Sequence, residues 1–261
     1  MLKTREHRIK TEDGELYLKQ WNTESEDHLA PIVMLHDSLG SVDLWRNFPE
    51  KIAEATQRKV IAYDRIGFGQ SSEHSNQLQS DFISQEAHSG FKQVIKYLNV
   101  DKFIVLGHSV GGAMASYCAA TYPKDCNALI TIAAQSIVEE KTLAGIRQAK
   151  AEFAQVGQLD RLAKYHGSKA QWVLDAWTET WLDPAFKHWD NQDALINAQC
   201  PNLIIHGELD EYGSIHQAER YAELSVGHST LKILPNLHHM PHKENEDQVV
   251  EMIQEFLMTI S

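Results

Sequence analysis

The sequence predicts an α/β protein: a mostly parallel, eight-stranded sheet with helices on both faces and one helical insertion. Three observations carry this reading. Short, continuous apolar runs recur along the chain, the form taken by strands buried on both faces. Segments with helical apolar spacing separate them, and such alternation packs as a parallel sheet between helices. The alternation stops once, over a long stretch of helical pattern only.

The elements follow in order. "HRIKTEDGELYLKQW" reads as two short strands about an Asp13-Gly14 turn, a hairpin signal. "PIVMLHD", "KVIAYDR", "KFIVLGH", "ALITIAA" and "NLIIHGE" read as buried strands, and "TLKILPN" as a weaker one. "SVDLWRNFPEKIAEA" reads as the first helix. "DFISQEAHSGFKQVIKYL" follows as one helix with Phe91, Val94, Ile95 and Leu98 on one face. "VGGAMASYCAATYP" is a helix of small residues. "DQVVEMIQEFLMTI" closes the chain with a stripe of Val249, Met252, Ile253, Phe256 and Leu257. Between Val138 and Ala198 only helices are expected. Residues 1–137 and 199–261 are therefore read as the core and 138–198 as an inserted cap. No Gly/Ser-rich linker flanks the insertion, so it is expected to pack on the core.

Bulk properties narrow the function classes. The 261 residues carry 36 Asp and Glu against 24 Lys and Arg, a formal net charge of -12. An acidic chain without a basic run has nothing to neutralise phosphates, which argues against nucleic-acid binding. The N-terminus is charged from its third residue, with no apolar run behind it, and no stretch approaches the length of a membrane span. The three cysteines, Cys118, Cys126 and Cys200, show no metal-ligand spacing and read as reduced, buried thiols of a cytoplasmic protein. A small-molecule partner is expected, with neither cofactor nor metal; oligomeric state is not legible.

Chemistry enters at Gly107-His108-Ser109-Val110-Gly111, a G-x-S-x-G pattern after a strand-like run and before a small-residue helix. A serine at so sharp a corner needs small residues two positions before and after, which Gly107 and Gly111 provide. The helix start aims free N–H groups and a positive dipole at the serine's surroundings. A phosphate loop would need Lys after the glycines, where the chain has Ala113.

These motifs resemble the α/β-hydrolase superfamily over nearly the whole chain. "VMLHDSLGSVDLW" resembles the loop after the third strand, and "AYDRIGFGQSS" the D-x-x-G-x-G-x-S stretch after the fourth. "LGHSVGG" resembles the nucleophile elbow, "IIHGELDEYG" the loop of the catalytic acid and "NLHHMPHKE" the loop of the histidine. The groups it resembles most are capped esterases, enol-lactonases and meta-cleavage C–C hydrolases.

A serine nucleophile needs a base, and the base needs an acid to set its tautomer. The resemblance implies the order Ser109, then acid, then histidine. It aligns Asp210 with the family's acid, with Glu208 second. "TIAAQS" offers no carboxylate for the variant one strand earlier. It aligns His239 with the family's histidine and puts His238 where glycine is common. His242 is expected at the start of the last helix or on the pocket rim. By themselves the three histidines of "HHMPH" could equally be metal ligands or a solvated loop. The resemblance also implies backbone donors to an oxyanion from Ser38 and Val110. Asp37 stands where the family usually has glycine. It is expected to point away from the developing charge and brace its own loop.

Four of the six tryptophans, Trp172, Trp177, Trp181 and Trp189, lie in the insertion. Trp177 and Trp181 share a helix face and, with Trp45, are candidates for an apolar substrate pocket. The alternative is that the rings anchor the insertion. The expected activity is hydrolysis of a small carboxylic ester by a Ser-His-Asp acyl-enzyme route. C–C bond or enol-lactone hydrolysis in aromatic catabolism is the alternative, or a non-catalytic ligand receptor on the same fold.

Overall fold

The computed structural model describes residues 2–22 and 29–260. β1 (Lys3–Thr11) and β2 (Gly14–Asn22) form the hairpin, turning at Gly14, whose φ of 135° suits glycine. β3 (Ile32–Leu35), β4 (Val60–Tyr63), β5 (Phe103–His108), β6 (Cys126–Ile132), β7 (Asn202–Gly207) and β8 (Ser229–Leu234) complete one eight-stranded sheet in the order β1-β2-β4-β3-β5-β6-β7-β8. β2 meets β4 antiparallel, and every pairing from β4 across to β8 is parallel.

Every residue of β3, β4, β5 and β7 is buried, because helices cover both faces of the sheet. On one face α1 (Phe48–Thr56) and α11 (Glu246–Thr259) bury Phe48, Ile52, Val249, Ile253 and Leu257 against Ile32, Val60, Ile104 and Ile130. On the other, α3 (Gly90–Tyr97) and α4 (Val110–Thr121) bury Phe91, Val94, Met114 and Cys118 against Val33, Ile61 and Val105. Each such Val, Leu, Ile, Phe or Met side chain contributes about 1.5–3 kcal/mol on leaving water.

Three departures from the sequence reading have local causes. The helix expected over 81–98 is two: α2 (Phe82–Gln85) and α3. Glu86 turns inward at the break to accept the Tyr63 hydroxyl at 2.6 Å, and a Cβ on Gly90 would overlap its carboxylate. The first helix is divided by Arg46, at φ 55°, into a 3-10 turn (Asp43–Trp45) and α1. A helix that the pattern did not reveal, Ile215–Leu224, joins β7 to β8. Its buried face holds a glutamine, Gln217, beside Ala218 and Tyr221, which hides the apolar period.

Between β6 and β7 lie α5 (Glu140–Phe153), α6 (Gln158–His166), α7 (Ala170–Leu182) and a short α8 (Gln192–Leu195); the helix after β7 is then α9. An antiparallel bridge between Ile137 and Asp190 joins the two arms of the insertion, and Arg220 of α9 pairs with Asp190 at 2.9 Å. Among the described residues no helix is long and apolar enough to cross a membrane.

Candidate active site

The loops after the parallel strands bring the site together at the strands' carboxyl ends, where open α/β sheets place ligands. Ser38 follows β3, Ser109 follows β5, Gln135 follows β6, Asp210 follows β7 and His239 follows β8.

Ser109 holds φ 57° and ψ −126°, a strained conformation for a residue with a side chain. Its N–H donates to the Ile132 carbonyl at 2.9 Å, and its own carbonyl accepts from Gly112 N–H at 2.9 Å. The corner closes only because a Cβ on Gly107 would overlap the Gly111 carbonyl, and one on Gly111 the Leu35 carbonyl.

Ser109 Oγ lies 3.0 Å from His239 Nε2, and His239 Nδ1 lies 2.8 Å from Asp210 Oδ2. Asp210 is fully buried, and its other oxygen accepts the Tyr212 and Gly213 N–H groups at 2.7 and 3.1 Å. With Asp210 ionised, His239 Nδ1 must be the donor, which leaves Nε2 to accept the serine proton. Burial opposes charging His239, but the Asp210 carboxylate outweighs it and holds the imidazole's pKa above the ordinary histidine value. Burial pushes Asp210 up, and His239, with His206 and the Tyr212 N–H, overcomes this and holds it below the ordinary carboxylate value. Glu208 takes a different role: its carboxylate accepts the Asn236 N–H at 3.2 Å.

The other two histidines of the cluster point elsewhere. His238 is exposed and pairs with Glu244 at 3.0 Å. His242 is on no rim: it is buried in α10 (Pro241–Glu244) against Trp45, Phe48 and His108. Among the described residues no group of three His, Cys, Asp or Glu side chains is arranged to hold a metal ion.

A cavity of about 80 Å³ opens over Ser109, lined by Ser38, Leu39, Gln135, Ile146, Trp177, Trp181, Tyr212 and His239 among others. Trp177 and Trp181 thus face the site, while Trp181 also packs on Phe186 and Trp189 inside the insertion. Trp45 is not in this cavity. It stacks on Phe48 in the core cluster that α1 and α11 cover. The sequence reading missed Gln135, whose Oε1 lies 3.3 Å from Ser109 Oγ, and Tyr212, whose ring packs 4.9 Å from that of His239. Gln135 had a signal, since it lies in the loop just after a parallel strand, on the site's edge of the sheet; Tyr212 had none.

The third-strand loop is held by Asp37. Its Oδ1 accepts the Leu39 N–H at 2.8 Å, and its carbonyl accepts from Gly40 N and Arg65 Nη2. Ser38 N–H is left without a protein acceptor among the described residues. Val110 N–H, first in α4, has none within its helix.

Comparison with known proteins agrees with this architecture. Residues 30–172 match the family model described as alpha/beta hydrolase fold. The 1-acylglycerol-3-phosphate O-acyltransferase ABHD5 of Homo sapiens is 32% identical over 116 residues, 44% of this chain and 32% of that protein. The chain thus spans about a third of the length of the first curated relatives it matches. The serine hydrolase BPHL of Homo sapiens is 27% identical over 208 residues, 76% of this chain and 69% of that protein. The solved structure of 2-hydroxy-6-oxo-6-phenylhexa-2,4-dienoate hydrolase from Rhodococcus sp. strain RHA1 has a TM-score of 0.77 at 15% identity, covering 99% of this chain and 100% of that one, a likeness of fold. By the family match, and with the sheet order and corner described above, the chain belongs to the alpha/beta hydrolase fold family.

Proposed function

We propose that the chain is a serine hydrolase that cleaves a small carboxylic ester through an acyl-enzyme. The observation that carries this reading is the relay from Ser109 Oγ through His239 to Asp210, at 3.0 and 2.8 Å. Ser109 attacks the ester carbonyl carbon while His239 Nε2 takes its proton. Asp210 holds the tautomer and balances the imidazolium. The Ser38 and Val110 N–H groups receive the oxyanion of the tetrahedral intermediate. His239 then returns its proton to the departing alkoxide, and a water activated by His239 releases the acid. Residues 138–198 act as a cap whose Trp177 and Trp181 roof the acyl pocket. A cavity of about 80 Å³ suits a short acyl group. The three free, buried thiols support a cytoplasmic setting.

A fluorophosphonate probe tests the nucleophile: the wild type is labelled and Ser109→Ala is not. An unlabelled wild type favours a non-catalytic receptor. p-Nitrophenyl esters of increasing acyl length, run beside a vinylogous diketone acid, test the substrate class. Turnover of the diketone alone replaces the ester reading with C–C bond hydrolysis by the same residues.

A further inference from the structure

Asp37 lines the cavity over Ser109, where a bare carboxylate would oppose the charge developing on the substrate. We propose that Asp37 and His108 form a proton-sharing couple of zero net charge, and that loss of its proton as pH rises switches the hydrolase off. The switch rests on the hydrolase reading above; the couple itself does not.

His108, the last residue of β5, is fully buried. Its Nε2 lies 2.9 Å from the His239 carbonyl oxygen, which can only accept, so Nε2 carries a hydrogen. A neutral imidazole then presents a bare lone pair at Nδ1. That atom faces Asp37 Oδ2 at 3.3 Å, and a carboxylate oxygen also only accepts. Two lone pairs opposed in a buried place repel; one shared proton turns the contact into a hydrogen bond. Asp37 Oδ1 is already committed to the Leu39 N–H. The pair therefore holds one proton more than imidazole plus carboxylate, and is neutral whichever partner carries it.

The couple sits at a junction. Asp37 belongs to the proposed oxyanion loop, His108 precedes Ser109, and the His108 ring holds the backbone of His239. Other charged or titratable groups face it. The His239 and His242 rings lie 5.0 and 4.5 Å from that of His108. Arg65 Nη2 and His36 Nδ1 both donate to the Asp37 carbonyl. Lys243 favours an ionised Asp37, and Asp210 and Glu211 lie beyond, bonded to His239. Burial holds His242 well below the ordinary histidine value, and it pulls His108 down too, against the Asp37 carboxylate that favours the shared proton. When the shared proton leaves for solvent, the couple gains a negative charge beside the oxyanion and loses its hydrogen bond.

Asp37→Asn separates this from a merely structural role. Its amide oxygen can accept the Leu39 N–H and its amide N–H can donate to His108 Nδ1, so it mimics the protonated couple but cannot titrate. With a neutral p-nitrophenyl ester from roughly pH 5 to 10, wild-type kcat should fall about tenfold per unit above the pKa of the couple. Asp37→Asn should hold a plateau there. In [15N]histidine-labelled protein, the His108 resonances should move at that same pH in the wild type and stay still in Asp37→Asn. An alkaline limb that persists unshifted in Asp37→Asn, or a His108 that does not titrate across the range, overturns the switch. If no ester is turned over, the hydrolase reading fails, while the NMR titration still decides the couple.

Discussion

The corner at Ser109 and the helices of residues 138–198 above it are both held in place, but by different means. At the corner, backbone meets backbone: side chains on Gly107 or Gly111 would overlap main-chain carbonyls, and one on Gly112 the Ala134 side chain. The insertion is held by side chains reaching for distant backbone. His166 accepts from Gly69 N–H at 2.9 Å and donates to the Leu39 carbonyl at 3.0 Å. Lys169 Nζ donates to the carbonyls of Gly69 and Ser71, and Trp172 Nε1 to that of Asn76. A backbone-packed corner admits one solution, and suits chemistry that must stay the same. A side-chain-packed roof admits many, and suits a pocket that changes with its substrate.

The largest expected effects lie at the corner. Ser109→Ala should lower kcat by about 10⁴-fold or more while leaving the circular dichroism spectrum unchanged. His239→Gln should fall into the same range, and His238→Gln should stay near wild type because its ring faces solvent. The reverse pattern would move the base by one residue. Gly107→Ala and Gly111→Ala should each cost roughly 4 kcal/mol or more in urea unfolding, since no rotamer can relieve a clash with backbone. A folded Gly107→Ala with a wild-type midpoint would break the contrast drawn above.

This contrast also explains what was legible in the sequence. The sheet could be read because a strand buried on both faces is apolar at every position, as in Ile32–Leu35 and Val60–Tyr63. The corner could be read because glycine alone fits its closest approaches. Helix breaks could not: the turn at Glu86 depends on a hydroxyl from Tyr63, distant in sequence at the end of β4. Nor could the pocket. Trp45 and Trp181 are both buried aromatic residues near loops, yet one stacks in the core on Phe48 and the other roofs the cavity. Asp37 was expected to point away from the developing charge and brace its own loop; it braces the loop through the Leu39 N–H but also lines the cavity over Ser109. Its second oxygen found His108 at the end of β5, a contact between a loop and a distant strand that no local pattern records.

Effects in the insertion should be smaller and should divide stability from selectivity. Trp181, 2% exposed and packed on Phe186 and Trp189, should cost about 3–5 kcal/mol of stability as Trp181→Ala. Trp177 is only partly buried, so Trp177→Ala should cost less and instead shift the preferred acyl length in kcat/KM. His166→Ala orphans the buried Gly69 N–H and frees the Leu39 carbonyl beside the third-strand loop. It should cost roughly 1–3 kcal/mol and lower kcat as that loop loosens. A Trp177→Ala variant with unchanged chain-length preference would show that the ring only anchors.

The finest test concerns pH, because the corner is held by groups that do not titrate and the histidine loop by groups that do. Asp210 raises the folded-state pKa of His239 above its ordinary value. The folded protein therefore binds this proton more tightly than the unfolded chain. The resulting stability is fully present below the ordinary histidine value and is lost as pH rises through the raised one. Catalysis runs the other way, since protonated His239 cannot accept from Ser109. On the acid side, above the range where Asp210 itself takes a proton, kcat should rise with pH. Over that window the stability difference between wild type and His239→Gln should shrink. Paired urea titrations and rate profiles would check the two signs; a difference that grows with pH would mean that burial, not Asp210, dominates His239.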